Sequence, residues 1–250
     1  NGTNVSWQTD FYADRLGNLL TAPVTGQLLQ NWLGGSAANV VTWYDQSPRG
    51  RTATGTRATL TLTSNLNQQW AINTTNGGFN VSGGTFLNGT DFTITCTTKR
   101  LAAAFNDGVY GYGANSSWVA QASVATTYGD NTRFGLVMPN SGSSTIAFND
   151  SSYQAAFSSA AGTLPTTYVG ATEPVVSTAV TFTNTSQKMY VNGSLSGTTA
   201  SLPWVTANAS TIFTIGTINY YGGFVGEMSE LLIFTSALGT SDISTLYSMR

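Results

Sequence analysis

Eleven acidic residues, one cysteine and no histidine are the side chains from which this chain has to build acid–base or nucleophilic chemistry. Without histidine, Ser-His-Asp and Cys-His nucleophile systems and the usual histidine-bearing zinc sites are excluded. Cys96 lies in the apolar run Phe92 to Thr97 and reads as a small buried hydrophobe, because a reactive thiol needs a basic partner. A single cysteine also rules out an internal disulfide and leaves the redox compartment unread. The glutamates are Glu173, Glu227 and Glu230. Glycoside hydrolysis asks for two carboxyl groups about 5 Å apart for retention or roughly 6.5 to 9.5 Å for inversion. Glu227 and Glu230 are offset by three, which puts them on opposite faces of a regular strand unless a bulge intervenes. No catalytic residue is assigned.

Binding chemistry is better represented. Sugars are recognised by aromatic faces stacked on C–H surfaces and by Asn, Asp, Gln or Arg side chains that fix the hydroxyls. The stretch Gly108 to Trp118 sets Tyr110 and Tyr112 among glycines and ends on Trp118, while Ile218 to Gly223 carries Tyr220 and Tyr221. Both read as loops. Tyr128, Asn131 and Arg133 supply polar and aromatic partners from a third loop. These eight residues are the expected ligand-binding set. Asp107 and Asp130 are the expected metal ligands, with Asn131 and Asp150 also in loop-like sequence. No loop has EF-hand spacing, and no cofactor is expected to be required, with Ca2+ the one ion considered for these oxygen donors. Ten of the twenty asparagines open Asn-X-Ser/Thr sequons. Beyond Asn1 and Asn4, the expected glycosylation positions are Asn73, Asn80, Asn88, Asn115, Asn149, Asn184, Asn192 and Asn208.

The elements that must position these groups read as strands. At 250 residues the chain has the length of one large β-sandwich. Only 8% of residues are charged and the net charge is -2, so the polar surface is made of Ser, Thr, Asn and Gly. That leaves no basic face on which nucleic acid would release counterions. No apolar run approaches the roughly 20 residues of a bilayer-spanning helix, and the N-terminus lacks a signal-peptide pattern. The chain is therefore expected to be soluble and a mature piece or fragment.

Val40 to Tyr44 reads as a buried strand, with Trp43 and Tyr44 in the core, running into a turn closed by Asp45. Leu28, Leu29, Trp32 and Leu33 recur at helical spacing before Gly34-Gly35. Strands are expected at Ala58 to Thr63, Phe86 to Leu87, Phe92 to Thr97, Ser117 to Ala125, Phe134 to Met138, Thr145 to Phe148, Thr211 to Ile215 and Phe224 to Phe234. Lys188 to Val191 meets an Asn192-Gly193 hairpin turn. Ile243, Leu246 and Tyr247 form the apolar side of a helix starting near Thr240 or Ser241.

Several of these pieces resemble laminin-G-like, concanavalin-A-like jelly rolls of microbial and viral surfaces. The residues concerned are Trp43-Tyr44-Asp45-Gln46-Ser47, Met189 to Gly193, Thr214-Ile215-Gly216, Gly226 to Phe234, and Ala237-Leu238 to Tyr247, bracketing the chain from about Gln27 onward. The resemblance implies calcium near the loops in many members and, in glucanase members, two carboxylates at an even offset on one strand, which Glu227 and Glu230 lack. The Tyr44 to Ser47 turn also resembles one in fungal-type arabinofuranosidase domains, whose cysteine-rich catalytic segment has no counterpart here.

The fold expected is all-β, a two-sheet antiparallel jelly-roll sandwich with short helices near both termini. Residues 1–250 form one domain, with 1–24 as an extension or edge segment and 25–250 as the core sandwich. The function expected is a non-catalytic, surface-displayed carbohydrate-binding or adhesion module, located extracellularly on a cell or virion surface. Its partners would be a glycan or glycosylated surface, and other copies or shell proteins of a larger assembly. A purely structural capsid- or surface-decorating domain is the alternative, and a glycoside hydrolase or lyase of the same fold is the second.

Overall fold

The computed structural model describes residues 38–62, 70–75, 77–81, 84–87, 89–101, 107–113, 134–138, 145–150, 161–163, 175–183, 185–200, 212–216 and 224–250. The expected helix before Gly34, the expected strand Ser117 to Ala125 and the boundary at residue 24 lie outside them. In chain order the strands are β1 (Ala38–Asn39), β2 (Thr42–Trp43), β3 (Ala53–Thr56), β4 (Thr59–Leu62), β5 (Trp70–Asn73), β6 (Gly78–Val81), β7 (Phe92–Arg100) and β8 (Asp107–Gly113). They continue with β9 (Phe134–Met138), β10 (Thr145–Asp150), β11 (Ala161–Thr163), β12 (Val176–Phe182), β13 (Ser186–Val191), β14 (Ser194–Ala200), β15 (Ile212–Ile215) and β16 (Gly226–Phe234). A 3-10 helix, Gly84–Leu87, replaces the strand expected at Phe86 to Leu87, and helix α1 (Thr240–Ser248) closes the chain.

The strands pair antiparallel in two eight-stranded sheets, β1-β4-β5-β16-β7-β12-β13-β14 and β11-β10-β9-β8-β15-β6-β3-β2. This is the expected all-β sandwich. Its core follows from alternation: Phe92, Ile94 and Cys96 of β7 and Val180 and Phe182 of β12 face Phe79 and Val81 of β6 and Phe213 and Ile215 of β15 in one buried cluster. Phe92 and Phe182, direct cross-strand partners, stack with centroids 4.9 Å apart.

The segment read as one strand, Val40 to Tyr44, is a crossover between the sheets. Ala38 and Asn39 pair with β4 in the first sheet, whereas Thr42 and Trp43 pair with β3 in the second. At the crossing Val40 N–H donates to the Ala58 carbonyl (2.8 Å) and Val41 accepts from Gly55 N–H (2.7 Å). Passing between layers turns Val41 outward, 64% exposed. Trp43 packs edge-on against Phe79 as expected of a core residue, centroids 5.7 Å apart, but Tyr44 is 66% exposed and is not core. Trp43 is the last ladder residue on the inner face, so the next side chain points out.

The Asn192-Gly193 hairpin forms as expected. Both residues have positive φ, 49° and 77°, the pair that a type I′ turn demands. Helix α1 then roofs the outer face of the first sheet. Ile243 is buried with Ala179 and Tyr190, and Tyr247 lies over Gly193. The strap before the helix is tied to β7 through Thr93, whose hydroxyl donates to the Ser236 carbonyl (2.8 Å) and accepts from Leu238 N–H (2.9 Å).

Candidate functional site

The two late glutamates change their relation in the folded chain. A bulge at Ser229 shifts the register of β16 on β7, so Glu227 lies opposite Lys99 and Glu230 opposite Thr97. Lys99 and Thr97 alternate with the core-facing Thr98 and Cys96, so both glutamates occupy the outer face of the first sheet. The opposite-face expectation is thereby corrected: one extra residue offsets the odd spacing. The face is not an open cleft. Arg250, just past α1, forms an ion pair with Glu230 and donates to Thr95 Oγ1 at 3.0 Å. Glu227 is 8% exposed beside Lys99, itself 6% exposed.

Cys96 is buried, with its Sγ 3.1 Å from Thr178 Oγ1, and burial pushes the thiol pKa up to about 12. A thiol held in its protonated form serves packing, as expected.

The second sheet carries a polar row on its outer face, exposed at Thr54 and Asn80. Its register aligns one outward row across seven strands: Thr42, Thr54, Asn80, Thr214, Gly111, Gly135 and Asn149. At about 4.8 Å per strand the row spans about 29 Å. Every member is a hydroxyl, an amide or a glycine. Thr54 and Asn80 are exposed, while Thr214 is buried. Tyr44 follows Thr42 by two residues and stands at the rim of this row.

The turn that presents Tyr44 is locked from within. Asp45 accepts hydrogen bonds from Ser47 N–H (2.8 Å), the Ser47 hydroxyl (2.9 Å) and Arg51 N–H (2.7 Å), and Gln46 Nε2 donates to the Tyr44 carbonyl (3.0 Å). Burial tends to raise the Asp45 pKa, but these hydrogen bonds and the nearby Arg51 charge hold it below the ordinary aspartate value. Asp45 is thus the turn-closing residue that the sequence indicated. Arg51 lies over the Phe86 ring, 4.6 Å from its centroid, and Phe86 packs on Phe213 at 5.9 Å.

Of the expected ligand set, Tyr110 and Tyr112 are on strand β8 and not in a loop. Their register partners are Ile215 and Phe213, both core residues, so their positions belong to the inward rows. Trp118, Tyr128, Asn131, Arg133, Tyr220 and Tyr221 lie outside the described residues. The described strands on either side fix only where each segment is anchored. Segment 114–133 joins Gly113 to Phe134 at the end of the sheet where the Tyr44 turn sits, because the row through Phe134, Tyr112, Phe213, Val81 and Ala53 ends on Trp43. Residues 217–223 follow Ile215 at the other end of β15, a strand of four residues or roughly 13 Å. The register therefore anchors segments 114–133 and 217–223 at opposite ends of the sheet.

Asp107 is also on β8, opposite Met138, and Asp150 ends β10, so neither is the loop residue expected. Asp130 lies outside the described residues, among which no group of three or more His, Cys, Asp or Glu side chains converges as for a metal. Among the sequons, Asn80 is exposed on the outward row. Asn73 Oδ1 accepts from Thr75 N–H (2.9 Å), and Asn192 Oδ1 accepts from Ser177 N–H (3.0 Å). Asn149 is on β10, and Asn88, Asn115, Asn184 and Asn208 lie outside the described residues.

A sequence-family model described as the concanavalin A-like lectin/glucanases superfamily, of laminin-G type, matches residues 73–244. The chain belongs to this superfamily. No curated protein matches it by sequence at a significant level. Among solved structures, domain 4 of AbnA, a GH43 extracellular arabinanase from Geobacillus stearothermophilus in complex with arabinotriose, superposes with TM-score 0.57 at 16% identity, covering 84% of this chain and 98% of that domain. The binding domain of Paraclostridial Mosquitocidal Protein 1 superposes with TM-score 0.54 at 12% identity, covering 82% of this chain and 49% of the other. Trypanosoma rangeli sialidase superposes with TM-score 0.52 at 16% identity, covering 84% of this chain and 31% of the enzyme. The chain thus matches the whole of the arabinanase domain but half or less of the toxin and sialidase chains. Identities this low establish a shared fold, one that hydrolases and sugar-binding domains both use.

Proposed function

We propose that this jelly roll is a non-catalytic carbohydrate-binding or adhesion module displayed outside the cell. The observation that carries the reading is the fate of its carboxylates: the bulge gathers Glu227 and Glu230 on one face, and the C-terminal segment occupies that face with Arg250 on Glu230. A glycosidase keeps its two carboxyl groups facing an open cleft. The second sheet instead carries the hydroxyl, amide and glycine row, exposed at Thr54 and Asn80 and rimmed by Tyr44. That chemistry suits sugar hydroxyls, with affinity raised by display in many copies. Similar solved structures support a glycan partner, since they include a domain in complex with arabinotriose and a botulinum neurotoxin type C whose cell entry depends on two ganglioside molecules.

Trp118, Tyr128, Asn131 and Arg133 are proposed to contribute from the Tyr44 end, and Tyr220 and Tyr221 from the opposite end. The test is a glycan array probed with and without Ca2+, each hit then incubated with the protein and analysed for cleavage products. Binding without cleavage supports the reading. Cleavage makes the domain a hydrolase or lyase. A blank array from folded protein that self-associates points to a structural decorating role.

A further inference from the structure

We infer that the Tyr44–Arg51 turn is the subsite for a carboxylate-bearing sugar, a uronic or sialic acid residue of the bound glycan. The inference rests on the carbohydrate-binding reading above and adds the charge class of the ligand. Four observations carry it. Tyr44 is 66% exposed, a rare exposed aromatic on a surface dominated by hydroxyls. Its turn is preorganised, because three hydrogen bonds to Asp45 and one from Gln46 close it without any ligand. Those bonds commit both Asp45 oxygens to the turn itself, so its acceptors are used within the segment.

Two guanidiniums share the same turn. Arg49 is exposed, Arg51 is held on the Phe86 face, and among the described residues the ion pair with a carboxylate within reach is that of Arg250 with Glu230, not one made by Arg49 or Arg51. In a chain with nine cationic residues, two within three positions leave the Tyr44–Arg51 turn with a net charge of +1, Asp45 included, on a molecule of net charge -2. A sugar ring stacked on Tyr44 presents equatorial substituents at its edge, where a carboxylate would meet Arg49 in a charge-assisted, bidentate contact. Neutral sugars would use the tyrosine and the Asn80 row but gain nothing from the arginines.

The test compares 3′-sialyllactose with lactose, and a trigalacturonate with the corresponding neutral galactan trimer, by calorimetry and by NMR shift mapping on the full chain. At low salt at least one acidic probe is expected to bind about tenfold tighter than its neutral partner, with the preference shrinking towards 0.5 M salt. Which acidic probe wins separates sialic from uronic acid. Arg49→Gln should remove most of the preference, and Tyr44→Ala should weaken acidic and neutral probes alike by about tenfold. Both positions are exposed, and an unchanged melting temperature in each variant ensures that the losses are binding losses. Equal affinity for acidic and neutral probes, or a preference that survives Arg49→Gln together with Arg51→Gln, overturns the inference. Neutral binding untouched by Tyr44→Ala also overturns it but leaves the carbohydrate-binding reading standing, whereas no binding of any glycan removes both.

Discussion

Asp45 shows how much one side chain does when its acceptors are saturated. Its carboxylate ties residues 45, 47 and 51 into a single turn and is held ionised below the usual aspartate range. A carboxyl with a depressed folded pKa stabilises the fold above the unfolded value, about 3.9, and loses that contribution as pH falls through the folded value. Melting curves of wild type and Asp45→Asn should therefore differ by a constant amount from pH 7 to about pH 4 and converge below it. A gap that persists at pH 2 would show that the charge is not what closes the turn. Cys96 makes the opposite case. With its pKa raised to about 12 by burial, the thiol should resist iodoacetamide at pH 8 in folded protein and react within minutes in denaturant, as read by mass shift. Labelling of the native protein would mean that the β7 region opens.

Elements settle what single residues leave open. The Asn192-Gly193 turn is legible from the dipeptide alone, yet its tolerance is set by α1, because a Cβ added to Gly193 would come within 2.9 Å of the Tyr247 ring at a φ of 77°. Gly193→Ala should cost about 1–2 kcal/mol in chemical denaturation. A neutral outcome would mean that Tyr247 moves freely off the turn. Strand β8 teaches a harder lesson. Glycines at 108, 111 and 113 suggest a loop, but the flanking strands recruit them into a ladder, and tyrosines two apart then take inward register positions opposite Ile215 and Phe213. Phe213→Ala, at the fully buried register partner of Tyr112, is accordingly expected to lower stability by about 3–5 kcal/mol in chemical denaturation. Near-wild-type stability would mean that the sheets do not pack through this row.

At the scale of the whole molecule the sandwich is closed by its last strand. β16 is threaded between β5 and β7 in the middle of the first sheet, pairing residues more than 120 positions apart. Contacts of such separation must be made late against large loop entropy. A chain ending at Val225 should therefore fail to fold, with collapsed amide dispersion in NMR spectra, although only the last tenth of the sequence is missing. Retained dispersion would show that the second sheet is stable alone. The same strand brings Glu227 and Glu230 together and hands Glu230 to Arg250, so the step that completes the fold also occupies its acidic face.

Alternation, turn dipeptides and the paucity of charge determined by themselves that this chain makes antiparallel sheets with a hydroxyl-rich surface. These are local properties: a period of two, a left-handed φ at Gly193 and an Asp that caps its own turn are written within a few residues of one another. The closing helix was legible for the same reason, from Ile243 and Leu246 at helical spacing. Only the tertiary structure decided that Tyr44 is outside and Tyr110 and Tyr112 are on the inward rows. It alone decided that the bulge at Ser229 aligns two glutamates, and that the tyrosine-bearing segments root at opposite ends of one sheet. Each of these depends on which strand lies beside which and on a register that one inserted residue can flip, and that information is shared between segments too far apart in sequence for either to declare it.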